Sequence, residues 1–335
     1  MTHELRVAVI GAGSWGTTVA NLASRNTPTV LWARRPEVAD EITEQRTNER
    51  YLPGQTMHRR LEATADLEAA VSGADVVVMG VPTVGFREIL GKAAPFVRPW
   101  VPVLSLSKGF EQGTLLRMTE VIAEELPERP VGVLTGPNIA REIGAGQAAA
   151  AVVGMEDETV ARSLQRVFAS GLFRVYTNVD VVGCEVGGAL KNVIAIAAGV
   201  GQGLGVGDNT RAMVITRGLA ELTRLGVAMG GQAETFSGLA GMGDLMATCM
   251  SPFSRNRTLG ERLGNGETLE EIMGGMNQVA EGVRTARLVL DLAEQYGVEM
   301  PIHAEIHGMV HHGHSPMQAY RGLVALTPGT EADIG

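Results

Sequence analysis

The chain has 335 residues, of which 45% are hydrophobic and 19% charged, and a formal net charge of −9 at pH 7. That balance excludes a disordered chain and leaves room for one to three folded domains with a sizeable core. The negative charge argues against non-specific binding to nucleic acid or to an anionic membrane surface.

Cys184 and Cys249 are the only cysteines, too few for a disulfide framework and without metal-ligand spacing. Both read as reduced thiols of a cytoplasmic protein. Residues 1–4 run directly into an apolar segment and offer no signal-peptide pattern. The most apolar long stretch, residues 194–206, is broken by Gln202 and several glycines, so no membrane span is expected.

The first element is the β-branched run Val7-Ala8-Val9-Ile10, followed by Gly11-Ala12-Gly13-Ser14-Trp15-Gly16. In a dinucleotide fold Gly11 makes the tight turn, Gly13 lets the backbone approach a pyrophosphate, and Gly16 lets helix and strand pack closely. The opening amides of the following helix, expected over residues 20–25, favour negative charge. A second strand is predicted at Thr29-Val30-Leu31-Trp32, ending in Ala33-Arg34-Arg35-Pro36, with Pro36 suited to a helix's first turn. An NAD site usually places an acidic residue here; Arg34 and Arg35 instead suit a 2′-phosphate, which leans the cofactor toward NADP(H) over NAD(H). Two solvated surface arginines are the alternative.

Further apolar runs occupy residues 74–82, 101–106 and 131–134, closed by Ser107-Lys108-Gly109 and Thr135-Gly136-Pro137-Asn138. Helical patterns lie between them, notably over residues 115–126. Residues 148–153 and 173–176 read as strands around a helix over 158–168. Alternating strands and helices predict an α/β domain, a doubly wound parallel sheet. Ligands gather beyond the carboxyl ends of such strands, which places Lys108, Gly136 and Asn138 near a cofactor.

From about residue 179 the strand-like runs vanish, and helix formers dominate over 185–225 and 285–296. The expected organisation is a dinucleotide-binding domain over 1–178, a closely packed all-α C-terminal domain over 179–327, and a frayed tail over 328–335. Three constellations in the second half point to chemistry. Lys191 and Asn192 stand between small residues and an apolar run, and a buried lysine with a lowered pKa suits proton transfer, although a snorkelling lysine reads the same way. Asp244 follows three glycines and shares a helix face with Thr248; a simple helix cap would explain it equally. Ser254-Arg255-Asn256-Arg257 suits a phosphate, or equally a polar helix start. His303, His307 and His311 recur every four residues, but without acidic or cysteine partners at motif spacing no metal site is expected.

Taken together, the glycine turn, Ser107-Lys108-Gly109, Gly136-Pro137-Asn138, Gly188-Ala189-Leu190-Lys191-Asn192, Gly241-Met242-Gly243-Asp244-Leu245, Ser254-Arg255-Asn256 and Gln278-Val279-Ala280-Glu281-Gly282 resemble the bacterial NAD(P)-dependent sn-glycerol-3-phosphate dehydrogenases. They recur in order over nearly the whole chain. The resemblance implies a Rossmann-type fold and reversible reduction of dihydroxyacetone phosphate to sn-glycerol 3-phosphate, which supplies phospholipid synthesis. It implies a homodimer. It implies Lys191 as proton carrier, with Lys108, Asn192 and Asp244 around the reacting carbon. Gly136, Asn138, Ser254, Arg255 and Asn256 would hold a small phosphorylated three-carbon substrate. Ser14, Trp15, Arg34, Arg35, Tyr51, Lys108, Ala140, Arg255, Val279 and Glu281 would line the cofactor. The family often carries serine or threonine at the position of Asn138, whose amide can still donate to a phosphate. Two other readings stand beside this one: another two-domain dehydrogenase of the 6-phosphogluconate or hydroxyacid type, and a non-catalytic nucleotide sensor. A sensor needs no proton carrier, which disfavours it.

Overall fold

Short β-branched runs alternate with amphipathic helices from the first residues onward, and each run forms a strand. The structure, a computed structural model, describes residues 4–276 and 280–325, the last three of them by backbone alone. Val279 and the tail expected over 328–335 lie outside the described residues. The chain divides into two units, one up to Val181 and one from Val182.

The first unit runs β1 (Val7–Ile10), α1 (Ser14–Ala23), β2 (Thr29–Trp32), α2 (Pro36–Asp40), β3 (Leu61–Thr64), α3 (Leu67–Val71), β4 (Val76–Met79), α4 (Phe86–Ala93), β5 (Val103–Ser105), α5 (Met118–Glu125), β6 (Val131–Thr135), α6 (Ala140–Gly144), β7 (Ala149–Met155), α7 (Glu158–Phe168) and β8 (Phe173–Asn178). The sheet order is β3-β2-β1-β4-β5-β6-β7-β8. Val7 pairs with Thr29 on one side and Val76 on the other, in parallel register. Successive side chains point to opposite faces. Val7, Val9, Leu31, Val78 and Leu104 thus bury into one layer with α1 and α7. Ala8, Ile10, Val77, Met79 and Val103 bury into the other, with α4 and α5. Coverage of both faces explains why the central runs are continuously apolar.

Three differences from the sequence reading have physical causes. The sheet is not wholly parallel, because β6 and β7 pair antiparallel, Leu134 opposite Val153. The intervening α6 has only five residues, about 7 Å of rise, less than the length of β6, so it cannot carry the chain back to the sheet's other end. Helix α1 begins at Ser14 rather than residue 20, because the glycine turn is itself the helix start. Strand β3 has a charged residue inside it, Glu62, and stands at a sheet edge, so its sequence carries little apolar signal.

The second unit is helical: α8 (Val181–Gly203), α9 (Asp208–Ala228), α10 (Ala233–Ser237), a π-helical turn (Leu239–Gly243), α11 (Asp244–Met250), α12 (Arg255–Gly264), α13 (Leu269–Gly274), α14 (Glu281–Tyr296), α15 (Pro301–His312) and α16 (Pro316–Ala325). The predicted helical stretch over 185–225 is two helices, parted where Gly205 takes φ +72°. Among the described residues α8 alone is long and apolar enough to cross a membrane, yet 83% of its most apolar window is buried inside the molecule. It is a core helix: Val193, Ile196 and Val200 pack with Leu259 and Leu263 of α12 and Ile302 and Ile306 of α15.

The four-residue histidine spacing separates in the fold. His303 is fully buried, its Nδ1 2.8 Å from Oε2 of the equally buried Glu221 on α9. Glu221 also accepts the Ile302 N–H at 2.7 Å, so one carboxylate caps the start of α15 and fixes the imidazole tautomer. His307, His311 and His312 form a separate ring cluster with centroids 4.9 Å from His307. Among the described residues no three metal-capable side chains converge.

Candidate active site

At the end of β1 the chain turns at Gly11, with φ +117°. A Cβ on Gly11 would lie 2.6 Å from the Gly80 carbonyl oxygen, and one on Gly16 would lie 2.0 Å from the Gly11 carbonyl oxygen. Strand and helix therefore meet backbone to backbone. Gly13 is the N-cap residue of α1 and brings no side-chain cap, while a Cβ placed there would meet nothing within 4 Å. The first amides of the helix thus face open space with the positive end of its dipole, a cradle that fits a diphosphate. The Ser14 hydroxyl donates to the Tyr51 carbonyl at 2.7 Å, and the Arg50 guanidinium lies 5.6 Å from the Tyr51 ring centre. Arg34, exposed, and Arg35, half-buried, follow directly on β2.

A second group forms where β5 and β6 end. Lys108 donates from Nζ to the Gly136 carbonyl at 3.1 Å, and Gly136 holds φ +122°. The Asn138 amide donates to the Ala150 carbonyl at 3.0 Å, and Ala140 opens α6 two residues later. Among the described residues six buried side-chain polar atoms of this unit have no partner: Trp15 Nε1, Asn48 Oδ1, Arg98 Nε, Arg129 Nε, Thr135 Oγ1 and Asn138 Oδ1. An unsatisfied buried group costs about 1–3 kcal/mol. Four of the six, those of Trp15, Asn48, Thr135 and Asn138, belong to the glycine turn, the segment touching it, or the end of β6, while the two arginine Nε atoms lie elsewhere. Folded proteins keep few such groups except where a ligand or water completes them.

The second unit gathers the other sequence-predicted residues through one close helix contact. A Cβ on Gly199 or Gly203 of α8 would lie 2.1 Å from the Arg257 or 2.2 Å from the Glu261 carbonyl oxygen. Conversely, a Cβ on Gly260 of α12 would lie 2.1 Å from the Ile196 carbonyl oxygen. Glycines spaced by four on both helices bring the backbones into contact, which sets Asn192 against the start of α12. Asn192 Oδ1 accepts from Asn256 Nδ2 at 3.0 Å, and Asn256 Oδ1 accepts the Gly282 N–H at 3.0 Å. The Asn256 amide thus ties the Lys191 helix to the first turn of α14, where Glu281 stands half-buried.

Lys191 is 5% exposed, and Asp244 is 1% exposed. Nζ donates to Asp244 Oδ1 at 2.5 Å and to the Thr248 hydroxyl. Thr248 in turn donates to the Asp244 carbonyl at 2.7 Å. An ammonium this deep is tolerable only with such partners. The snorkelling alternative therefore does not describe Lys191, and Asp244 is the first helical residue of α11 rather than its cap. Ser254 does cap α12, accepting the Arg257 N–H at 3.3 Å, and it is buried with Asn256, while Arg255 is exposed.

Two residues in this neighbourhood stood in the sequence only as parts of a motif, without a role of their own. Thr248 was visible only as the i+4 neighbour of Asp244. Arg257 is buried and held by the Ser251 carbonyl, Gln202 and Glu261, so it braces α12 from within. Burial pushes the neighbouring Cys249 thiol up to about 12, with Lys191 opposing and Asp244 reinforcing the shift. That thiol is no nucleophile.

A family model described as NAD-dependent glycerol-3-phosphate dehydrogenase N-terminus matches residues 6–161, and the corresponding C-terminus model matches residues 180–321. A glycerol-3-phosphate dehydrogenase [NAD(P)+] of Sphingopyxis alaskensis is 56% identical over 332 residues, 99% of this chain and 100% of that protein. Its counterpart in Mycobacterium avium is 54% identical over 330 residues, 98% of this chain and 97% of that protein. The crystal structure of glycerol-3-phosphate dehydrogenase from Coxiella burnetii superposes with a TM-score of 0.92 at 35% identity, covering 96% of this chain and 99% of that one. With both halves matched and identity above one half across the chain, this protein belongs to the NAD-dependent glycerol-3-phosphate dehydrogenase family.

Proposed function

We propose that the protein catalyses the reversible reduction of dihydroxyacetone phosphate to sn-glycerol 3-phosphate, with Lys191 as the proton carrier. The observation that carries the assignment of Lys191 is its buried ammonium, held by Asp244 and Thr248. Bound NAD(P)H supplies the hydride that the ketone carbon accepts. As that carbon is reduced, its oxygen gains negative charge, and Lys191 Nζ lies ready to stabilise the charge and deliver a proton. Asp244 and Thr248 orient Nζ, so the proton is presented from a fixed position. In the oxidative direction, neutral Lys191 would take the hydroxyl proton.

The cofactor would rest on the amides following Gly11 and Gly13, with Ser14, Trp15, Gly16 and Tyr51 around the turn and Lys108, Ala140, Arg255, Val279 and Glu281 contributing elsewhere. Arg34 and Arg35 favour a 2′-phosphate, so we read NADP(H) as the better cofactor. Gly136, Asn138, Ser254, Arg255 and Asn256 would recognise the phosphorylated substrate. Arg255 and Lys108 supply positive charge for it on a chain whose net charge is −9. NADPH oxidation measured separately with dihydroxyacetone phosphate, 6-phosphogluconate and pyruvate tests the assignment. Turnover with the first alone is expected; absence of turnover with it overturns the proposal.

A further inference from the structure

We infer that Asn48 sets the orientation of the Ala12–Gly13 peptide and so aims the Gly13 amide at the cofactor's diphosphate, acting as a positioning residue. The inference rests on the cofactor reading above. Asn48 is fully buried. Its Nδ2 donates to the Ala12 carbonyl at 3.1 Å and to the Thr17 hydroxyl at 2.9 Å. In a planar trans peptide the C=O and the following N–H point in opposite directions. With the Ala12 oxygen held toward Asn48, the Gly13 N–H is turned to the opposite side.

This peptide joins Ala12 to Gly13, and glycine permits wide rotation about its own backbone bonds. The orientation therefore needs a restraint from outside the turn. The Ala12 carbonyl can only accept, so the restraint requires an N–H donor on the facing side chain; aspartate has none.

The donor is itself fixed. The Asn48 carbonyl accepts from the Tyr51 and Leu52 amides at 3.1 and 2.7 Å. The Thr47 hydroxyl and the Glu49 amide both donate to Glu41, at 2.9 and 2.7 Å. The Ser14 hydroxyl on the Tyr51 carbonyl closes a second link, so residues 48–51 brace the glycine turn at two points. Asn48 Oδ1 is meanwhile buried without a partner. That orphan weakens the fold, a cost a residue kept for stability alone would not carry.

The test compares Asn48→Ala, Asn48→Asp and Asn21→Ala with the parent enzyme. Asn21 Oδ1 accepts the His58 amide at 2.7 Å, tying α1 to the same segment but away from the glycine turn. Dissociation constants for NADH and NADPH are read by cofactor fluorescence, alongside kcat, KM and Tm. Asn48→Ala is expected to raise both dissociation constants about tenfold, the effect of one lost hydrogen bond. The two should rise equally, because the diphosphate is common to both cofactors, while kcat at saturating cofactor falls less than about threefold. Asn48→Asp keeps the volume and carries the same test should the alanine variant not fold; its added negative charge should raise both constants further. Asn21→Ala should lower Tm but leave both constants within about twofold. Folded Asn48 variants that bind both cofactors as the parent does, or an Asn21→Ala defect of equal size, would overturn the inference. A parent enzyme that binds neither cofactor would instead overturn the underlying cofactor reading.

Discussion

Gly260→Ala probes how the second unit holds its chemistry in place. The added methyl would lie 2.1 Å from the Ile196 carbonyl oxygen and 2.9 Å from the Val200 nitrogen, both backbone atoms of α8. Ordinary contact requires the two helices to part by about 1 Å, since close-packed interiors leave no slack. Overpacking of this kind costs about 1–3 kcal/mol, offset by less than about 1 kcal/mol from alanine's better helix propensity. The displacement falls on the contact between Asn192 and Asn256, now 3.0 Å, one residue from Lys191. A misplacement of about 1 Å at reacting groups can cost about hundredfold in rate. We therefore expect Gly260→Ala to fold with a lowered Tm and to lose about ten- to hundredfold in kcat for dihydroxyacetone phosphate. Gly274 is the control: it is helical, without positive φ, and a Cβ there meets nothing within 4 Å. Gly274→Ala should leave kcat and Tm as they are or raise Tm slightly. Parental kcat and Tm in Gly260→Ala would refute the claim that the α8–α12 contact sets the site's spacing.

Replacing Arg34 and Arg35 by alanine should raise KM for NADPH more than for NADH; an equal rise would remove the 2′-phosphate argument. Cys184 is fully buried and Cys249 is 6% exposed, so a thiol reagent at pH 8 should label neither until the protein unfolds, and rapid labelling of Cys249 would contradict its raised pKa. Burial, reinforced by His311, His312 and Arg287, holds His307 below its ordinary value of 6.5. Protonation is thus harder in the folded than in the unfolded chain. Its contribution to stability is full above about pH 6.5 and is lost as pH falls through the folded midpoint. An NMR titration that places the His307 midpoint at or above 6.5 would contradict this.

Periodicity carried most of the first unit. Val7–Ile10 and Val76–Met79 are buried on both faces and read as strands without help. The edge strand Leu61–Thr64 did not, because half of its side chains lie away from the core. The antiparallel turn into β7 was hidden for another reason: strand direction depends on the reach of the connection, and α6 left too little pattern to measure that reach. In the second unit Lys191 and Asp244 stood out because charged residues in glycine-rich apolar runs need an explanation. Their pairing did not, since 53 positions separate them in the chain. Asn48 lay in the polar stretch Thr47-Asn48-Glu49, indistinguishable from a solvated loop until its amide was seen against Ala12. Asn256 was legible only in part. Its polar context drew attention in the sequence, but the contacts of its amide to Asn192 and Gly282 did not show there.

In the proposed reaction a buried, oriented Lys191 moves the proton. This role is tested most directly by the kcat of Lys191→Ala for dihydroxyacetone phosphate, with NADPH binding and Tm measured on the same preparation. A fall of about hundredfold or more is expected, from the size of general acid–base effects, in a protein that still folds and binds NADPH. A folded, cofactor-binding variant that retains most of its kcat would contradict it.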